Sequence, residues 1–144
     1  MRARTLTVAA LILTALTAGS AAADPYGTWA TEDGKAQVRI ADCGGALCGT
    51  IVALAEPNDP KTGKPQLDVA NADPSKRNRP IIGVQIIVAM KPDGANKWAG
   101  NLYNAEDGKT YSGSFTLLSA TSAKLEGCVM GGLICRGQTW KRVK

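Results

Sequence analysis

The chain has 144 residues, which is the length of one domain, and it contains no histidine. Without histidine, Ser-His-Asp and Cys-His nucleophile systems and every histidine-ligated zinc site are excluded, so we expect neither an enzyme nor a bound cofactor. The 17 basic and 12 acidic residues give a net charge of +5, a bias too weak to indicate a nucleic-acid partner.

The N-terminal residues 1–23 have the pattern of a secretory signal peptide. Two arginines precede an apolar run at 6–16, and small residues lead to an Ala-x-Ala cleavage signature that ends at Ala23. The run is shorter than the ~20 residues that span a bilayer. We therefore expect cleavage before Asp24 and export to the periplasm or the medium. The mature chain, 24–144, keeps 15 basic and 12 acidic residues (+3) and has no predicted transmembrane segment.

Turn signals divide the mature chain into runs of strand length. The Asp-Gly pairs at 33–34, 93–94 and 107–108 and the Gly-Gly pairs at 44–45 and 131–132 tolerate the positive φ of tight hairpin turns. Several runs alternate between apolar and polar residues, and none has a period of 3.6. The predicted strands are 27–31, 35–43, 48–55, 81–90, 97–104, 109–118, 123–130 and 133–143. Eight strands joined by short turns predict an antiparallel all-β domain, either a barrel or a sandwich.

The segment 56–80 is a long loop between the third and fourth predicted strands. It holds five of the seven prolines, which limit its flexibility and prevent it from joining a sheet. In a simple meander it shares one end of the domain with the turns at Gly34, Gly108 and 131–132. Loops of this length are usually functional or disordered. Two interpretations therefore stay open, an ordered lid over that end and a solvated loop.

The four cysteines of an exported chain indicate two disulfides. Cys43 and Cys48 face each other across one hairpin turn, and Cys128 and Cys135 face each other across the last hairpin, at the opposite end of the meander. Because the Cα atoms of a disulfide lie within about 7 Å, we predict the pairs Cys43–Cys48 and Cys128–Cys135. The spacing of the second pair does not fit a four-thiolate zinc site, and we expect no metal.

Aromatic residues lie at both ends of the mature chain. Trp29 opens the first strand and Trp140 lies in the last. A closed barrel brings these two strands together, so we expect Arg142 or Arg136 to stack on Trp29.

The four aromatic residues Trp29, Trp98, Tyr111 and Trp140 have two interpretations. They fill the core of the domain, or they line a site for an apolar ligand. Trp98 and Tyr103 lie on opposite faces of one strand, so they cannot both point inward.

Five segments of the chain carry a family resemblance. The "GTW" at 27–29 is similar to the G-x-W opening of lipocalins and other calycin barrels. Four further segments resemble the bacterial exported family called domain of unknown function 2147 (DUF2147). They are CGGALCGTI (43–51), DVANADPSKRNRPIIG (68–83), WAGNLYNAEDGKTY (98–111) and GCVMGGLICRGQTWKRV (127–143). The resemblance implies a periplasmic, lipocalin-like, eight-stranded antiparallel up-and-down barrel with one long loop between strands three and four. It implies no activity.

The loop contains the residues that this resemblance singles out. Asp68, Asn71 and Arg77 match the family motif. In one interpretation, Arg77 or Arg79 pairs with Asp68 or Asp73 and fastens the loop to the barrel rim. In the other, these five residues bind a ligand or a partner. The acidic residues lack the spacing of an EF-hand, so we expect no calcium site.

Two functional hypotheses follow. The first is a binding protein that holds a small, largely apolar molecule under the 56–80 loop. The alternative is a protein-interaction or envelope-maintenance module with a filled core and an envelope protein as its partner. Small residues on the strands leave interior space if they face inward, or they mark tight bends; they are Ala53, Gly83, Ala89, Gly100, Gly113 and Gly127. In either case we expect a monomer.

Overall fold

A computed structural model of the chain describes residues 24–144, and the predicted signal peptide lies outside these residues. The chain forms a closed antiparallel barrel in which each strand pairs with the next and the last pairs with the first. The strands are β1 (Gly27–Ala30), β2 (Ala36–Asp42), β3 (Leu47–Leu54), β4 (Gln85–Pro92), β5 (Lys97–Asn104), β6 (Lys109–Leu117), β7 (Ser122–Val129) and β8 (Ile134–Arg142). Two single-turn 3₁₀ helices, Pro74–Lys76 and Met130–Gly132, are the helical elements of the described chain. The eight-stranded up-and-down barrel is therefore confirmed.

The start of β4 differs from the prediction, which placed it at Ile81. The strand begins at Gln85 because the residues before it form a turn, closed by the Val84 N–H donating to the Ile81 carbonyl at 3.0 Å. This turn is fixed to β3 at one point, where Ile51 accepts from Gly83 and donates to Val84. The continuous apolar run that suggested a buried strand is thus partly a turn anchored to the sheet.

The two ends of the barrel are built differently. The turns β2–β3, β4–β5 and β6–β7 lie at one end, named here the closed end. The turns β1–β2, β5–β6 and β7–β8 lie at the other, the loop end, together with the 56–80 loop. The shared location of these three turns and the loop is the one that the meander predicts.

Aromatic rings fill the interior toward the closed end. Phe115 is the central ring, and its centroid lies 5.7 Å from that of Trp29, 6.2 Å from that of Trp98 and 6.4 Å from that of Trp140. Trp29, Phe115 and Trp140 are completely or almost completely buried. The predicted aromatic residues on β1, β5 and β8 therefore form the barrel core.

Three glycines lie side by side on the inner face of the barrel, where Gly100 pairs with Gly113 and Gly113 with Gly127. Side chains of neighbouring residues fill the space that these glycines leave. A Cβ at Gly100 would lie 2.9 Å from the Met90 Cα, and one at Gly113 would lie 3.0 Å from the Leu102 Cβ. The glycines thus make room for Met90 and Leu102 rather than for a ligand inside the barrel.

Arg142 covers the aromatic core at the closed end. Its guanidinium carbon lies 4.4 Å from the centroid of the Trp29 ring, a cation–π contact. The same guanidinium donates to the carbonyl oxygens of Tyr26 and Ala120, which belong to the N-terminal segment and to the β6–β7 turn. Of the two arginines expected to stack on Trp29, the structure has Arg142 in that place, and Arg136 lies elsewhere.

Each disulfide closes one hairpin. Cys43 and Cys48 join β2 to β3 at the closed end with Cα atoms 5.9 Å apart. Cys128 and Cys135 join β7 to β8 near the loop end with Cα atoms 4.1 Å apart. These are the two pairs predicted from the hairpin order, and they leave no free thiol in the described chain.

We predict that Arg142→Gln lowers the free energy of unfolding by about 2 kcal/mol, because a charged donor to backbone carbonyls and a cation–π contact are both lost. Lys141→Gln, at the exposed neighbouring position, should change it by less than about 0.5 kcal/mol. Urea denaturation of the mature protein measures both values. Equal effects of the two substitutions would show that Arg142 does not hold the closed end together.

Candidate functional site

The 56–80 loop has its own backbone pairing. Isolated bridges join Asn58 to Pro65 and Leu67 to Pro80. The Asp68 N–H donates to the Arg79 carbonyl at 2.9 Å, next to the second bridge. The loop therefore folds back on itself in two short antiparallel steps, which is an ordered structure rather than a solvated spacer.

Asp68 is the centre of the contacts that fix this loop. Its side chain is fully buried. The Tyr103 hydroxyl donates to Oδ1 at 2.6 Å, and the Asn71 side-chain amide donates to Oδ2 at 2.8 Å. Arg79 donates to Oδ2 through Nε and lies within ion-pair distance through Nη2, both at 2.9 Å. The carboxylate thus links two loop side chains to a tyrosine of β5.

These donors keep the Asp68 carboxylate charged. Burial raises the pKa of Asp68 and is the largest single effect. The hydrogen bonds from Tyr103, Asn71 and Arg79, with the positive charge of Arg79, together outweigh it, so the pKa lies below its ordinary value. Burial and the neighbouring carboxylate raise the pKa of the Tyr103 hydroxyl, so tyrosine remains the proton donor of this pair.

The other predicted loop residues organise the segment between Asp68 and Arg79. The Asn71 side-chain oxygen accepts the Asp73 N–H at 2.9 Å, and its backbone carbonyl accepts from Arg77 Nε at 2.8 Å. Asp73 caps the 3₁₀ turn by accepting the Ser75 N–H at 3.0 Å. These side chains bond within the loop. The Arg79–Asp68 ion pair and the bond from Tyr103 to Asp68 join the loop to β5, which favours the interpretation that the motif fastens the loop to the rim.

The β5–β6 turn packs directly against the 56–80 loop. A Cβ at Gly108 would lie 1.7 Å from the Ala70 carbonyl oxygen, so the backbone of the loop rests directly on this glycine. Ala72, two residues further along the loop, therefore lies beside the first residues of β6.

An open depression of about 580 Å³ lies next to Ala72 at the loop end. The ladder between β6 and β7 ends at the pair Ser112–Cys128, and beyond it the two strands diverge. The depression occupies this gap, and its walls are Ala72, Gly108 of the β5–β6 turn, the first residues of β6 at 109–112, and residues 128–131. Its size falls within the range of small-molecule sites, about 300–1,000 Å³.

The predicted site residues therefore divide into three groups. The loop residues Asp68, Asn71, Asp73, Arg77 and Arg79 lie together at the rim, and Trp29, Trp98 and Trp140 lie in the core. Tyr111 forms part of the depression, and its hydroxyl donates to Asp107. The hydrogen bond to Asp107 is the largest effect on the pKa of the Tyr111 hydroxyl, and both this bond and burial raise it.

Tyr103 is the site residue that sequence reasoning missed. The signal for it was its position on the face of β5 opposite Trp98, which makes it an outward aromatic residue near the long loop. The structure places these two residues on opposite faces as expected, because Trp98 pairs with the core residue Phe115 and Tyr103 pairs with Thr110.

The Asp68 carboxylate and the cysteine sulfurs of this region are already bonded to other groups of the protein. The oxygens of Asp68 are occupied by three donor side chains and are closed off from solvent. Glu126 lies close to Cys128 and Cys135, but both sulfurs belong to a disulfide and offer no thiolate to a metal.

The family described as "Uncharacterized protein conserved in bacteria (DUF2147)" matches residues 27–142. The chain belongs to the DUF2147 family. No curated protein matches it. Among solved structures, a similar one is protein HP1028 from the human pathogen Helicobacter pylori, described as a member of the lipocalin family. It is 23% identical, covers 84% of each chain and superposes with a TM-score of 0.71.

These similarities confirm a DUF2147 chain with a lipocalin-like barrel. A bacterial family and two disulfides indicate an exported protein. In the part of the chain that the structure describes, none of the helical elements has the length and apolar character needed to span a bilayer.

We predict that Asp68→Asn lowers the free energy of unfolding at neutral pH by about 2 kcal/mol. The substitution breaks the ion pair between the buried Asp68 carboxylate and Arg79, whose side chain is partly exposed. The folded-state pKa of Asp68 is depressed, so its contribution is present above the unfolded pKa of about 3.9. That contribution is lost as the pH falls through the lower folded-state pKa. The wild type and the variant should therefore converge at acidic pH.

The control is Asp73→Asn, which keeps a capping side chain at an exposed position and should have little effect. Urea denaturation across the acidic range measures all three proteins. A constant difference between wild type and Asp68→Asn at every pH would contradict the assigned charge.

We also predict that Gly108→Ala displaces the loop, since the new Cβ would collide with the Ala70 carbonyl. Gly34→Ala is the matched control, because Gly34 has φ +70° against +71° for Gly108 but has nothing within 4 Å of its Cβ position. Limited proteolysis should cut the loop faster in Gly108→Ala alone. Equal cleavage in the two variants would mean that the loop does not depend on this contact.

Proposed function

We propose that the protein is a non-catalytic periplasmic binding protein that holds a small, largely apolar molecule at the loop end of the barrel. The observation that carries this proposal is the gap between β6 and β7, which forms a ligand-sized depression against Ala72 of the 56–80 loop. The ligand thus lies beside the loop, at the mouth of the barrel rather than deep in its interior.

The filled interior supports this location. Met90 and Leu102 occupy the space over the inward-facing glycines, and the aromatic residues fill the closed end. A ligand inside the barrel would have to displace these side chains, whereas the depression at the loop end is already open.

The walls of the depression determine what it would hold. Ala72, Val129 and Met130 supply apolar contact, and Met130 is 68% exposed without a ligand. Lys109 and Thr110 supply polar groups on one side. We therefore expect a molecule whose apolar part contacts Ala72, Val129 and Met130 and which directs a polar or acidic group at Lys109.

Two features hold these walls in place. The Cys128–Cys135 disulfide fixes the strand ends next to the β7–β8 turn, and the Asp68 contacts fix the loop that carries Ala72. Pre-formed walls lower the cost of ordering on binding, which suits a carrier for a small molecule.

We predict that the neutral apolar fluorophore N-phenyl-1-naphthylamine binds the mature protein, and that Ala72→Phe weakens this binding by about tenfold or more by filling the depression. Ala120→Phe adds the same ring to the exposed β6–β7 turn at the closed end and should leave the affinity unchanged. Fluorescence titration measures the dissociation constants. Equal loss in both variants, or no binding by the wild type, would contradict the proposal.

One observation favours the interaction module as a second candidate. The tip of the β7–β8 hairpin exposes apolar side chains, with Leu133 at 82% and Ile134 at 54%, and exposed apolar clusters often mark protein-binding surfaces. In that case Leu133→Ser, which lies outside the depression, would abolish association with an envelope partner and leave fluorophore binding intact.

A further inference from the structure

The last strand of the barrel is much longer than its pairing with the first. Strand β8 spans nine residues, but β1 pairs only with Arg142 and Lys141. Strand β7, in contrast, pairs with β8 continuously from Lys141 to Ile134. The segment 134–139 therefore has a neighbouring strand on one side only, and all six of its residues are exposed.

The pairing with β7 shows which backbone groups point to the open side. Cys128 and Cys135 have Cα atoms 4.1 Å apart, as in a pair without mutual backbone hydrogen bonds. By alternation, Cys135, Gly137 and Thr139 direct their N–H and C=O groups away from β7. The Thr139 N–H agrees with this, because it donates to the Glu32 carboxylate of the β1–β2 turn at 3.2 Å.

Two residues of this edge, Cys135 and Gly137, have open backbone groups in the described part of the chain. Within residues 24–144, the open-side backbone groups of Cys135 and Gly137 have no hydrogen-bond partner. Unpaired strand edges are templates for pairing with another strand, and proteins usually block them with charges or bulges. Here Glu32 blocks one end only.

Charges of both signs lie along the same edge. A depression of about 380 Å³ between the β1–β2 turn and β8 is lined by Glu32, Asp33, Arg136, Gly137 and Gln138. Arg136 is exposed and forms no ion pair within the described chain. A surface that carries a strand edge with an unpaired cation and nearby carboxylates is complementary to itself, as a twofold interface requires.

We propose that two copies of the chain pair through β8, antiparallel, across a twofold axis at Gly137. Gly137 then lies opposite its own equivalent. Cys135 lies opposite Thr139 of the second copy, whose N–H becomes available when its Glu32 leaves it to pair with Arg136 of the first copy. Arg136 lies opposite Gln138 of the second copy and within side-chain reach of its Glu32. The proposal does not depend on the ligand site, and it replaces the monomer expected from the sequence.

Gly137 suits the centre of such an interface. It has no side chain, and the atom nearest to its Cβ position is the Lys124 Cε at 2.8 Å, the far part of a flexible side chain. Two backbones can therefore approach at this point without a collision between side chains of the central residues.

We predict that sedimentation velocity detects a dimer of the mature protein at increasing concentration. Arg136→Glu and Glu32→Arg should each give monomers, because each places like charges opposite each other at both ends of the interface. An equal mixture of the two variants should restore a dimer, since every contact between the two different chains is then attractive. Arg39→Glu, at an exposed position on β2, is the control and should stay dimeric.

A second variant tests the axis with the charges intact. In the proposed dimer, Gly137 forms a hydrogen-bonded pair with its equivalent at a Cα separation of about 5.5 Å, within disulfide range. Oxidised Gly137→Cys should therefore form a covalent dimer. A wild type that is monomeric at all concentrations, as expected if a peptide or other partner occupies the edge, would overturn the proposal. The proposal would also be overturned if the wild type dimerised but two tests failed. In that case the mixture of Arg136→Glu and Glu32→Arg would remain monomeric, and oxidised Gly137→Cys would form no covalent dimer.

Discussion

The buried carboxylate of Asp68 is the interaction on which the loop end depends. A charge removed from water is tolerated only when its hydrogen-bonding capacity is filled, and three side chains fill it here: Tyr103 from the barrel, and Asn71 and Arg79 from the loop. The arrangement is therefore cooperative, since the loss of any one donor leaves a buried charge partly unpaired. Asp68 thus joins the middle of the 56–80 loop to the barrel, and the Gly108 contact and the backbone bridges position the same segment, which carries the wall formed by Ala72.

The two ends of the barrel differ in how far their strands pair. At the closed end, Arg142 covers the ring of Trp29 and joins the N-terminal segment to the β6–β7 turn. Toward the loop end, the β7–β8 hairpin loses its neighbours on both sides. The ladder between β6 and β7 ends at the pair Ser112–Cys128, and the ladder between β1 and β8 ends at the pair Ala30–Lys141. Each early stop leaves an open surface, of which one is proposed to hold a small molecule and the other a second copy of the chain.

The sequence predicts the parts of the fold that depend on local patterns. Turn glycines and hairpin spacing predict the strand order. This order in turn predicts both disulfides and the stacking of Arg142 or Arg136 on Trp29, of which the structure has Arg142. The contact between Asp68 and Tyr103 was not predictable in the same way, because the residues lie 35 positions apart and the loop could have taken many paths. The start of β4 at Gln85 was missed because apolar residues in a turn and in a strand have the same pattern. The predicted ranges 27–31 and 133–143 already differ in length, but which residues of β8 pair with β1 depends on how the barrel closes, and no local pattern shows that.

The most direct test of this account is a carboxyl NMR titration of Asp68, recorded together with amide exchange of the loop. The account predicts that Asp68 titrates below the ordinary aspartate pKa of about 3.9, and that the loop amides lose their protection over the same pH range in which it becomes protonated. Titration of Asp68 at or above the ordinary value, or loop protection that does not change as it titrates, would contradict the claim that this carboxylate holds the loop on the barrel.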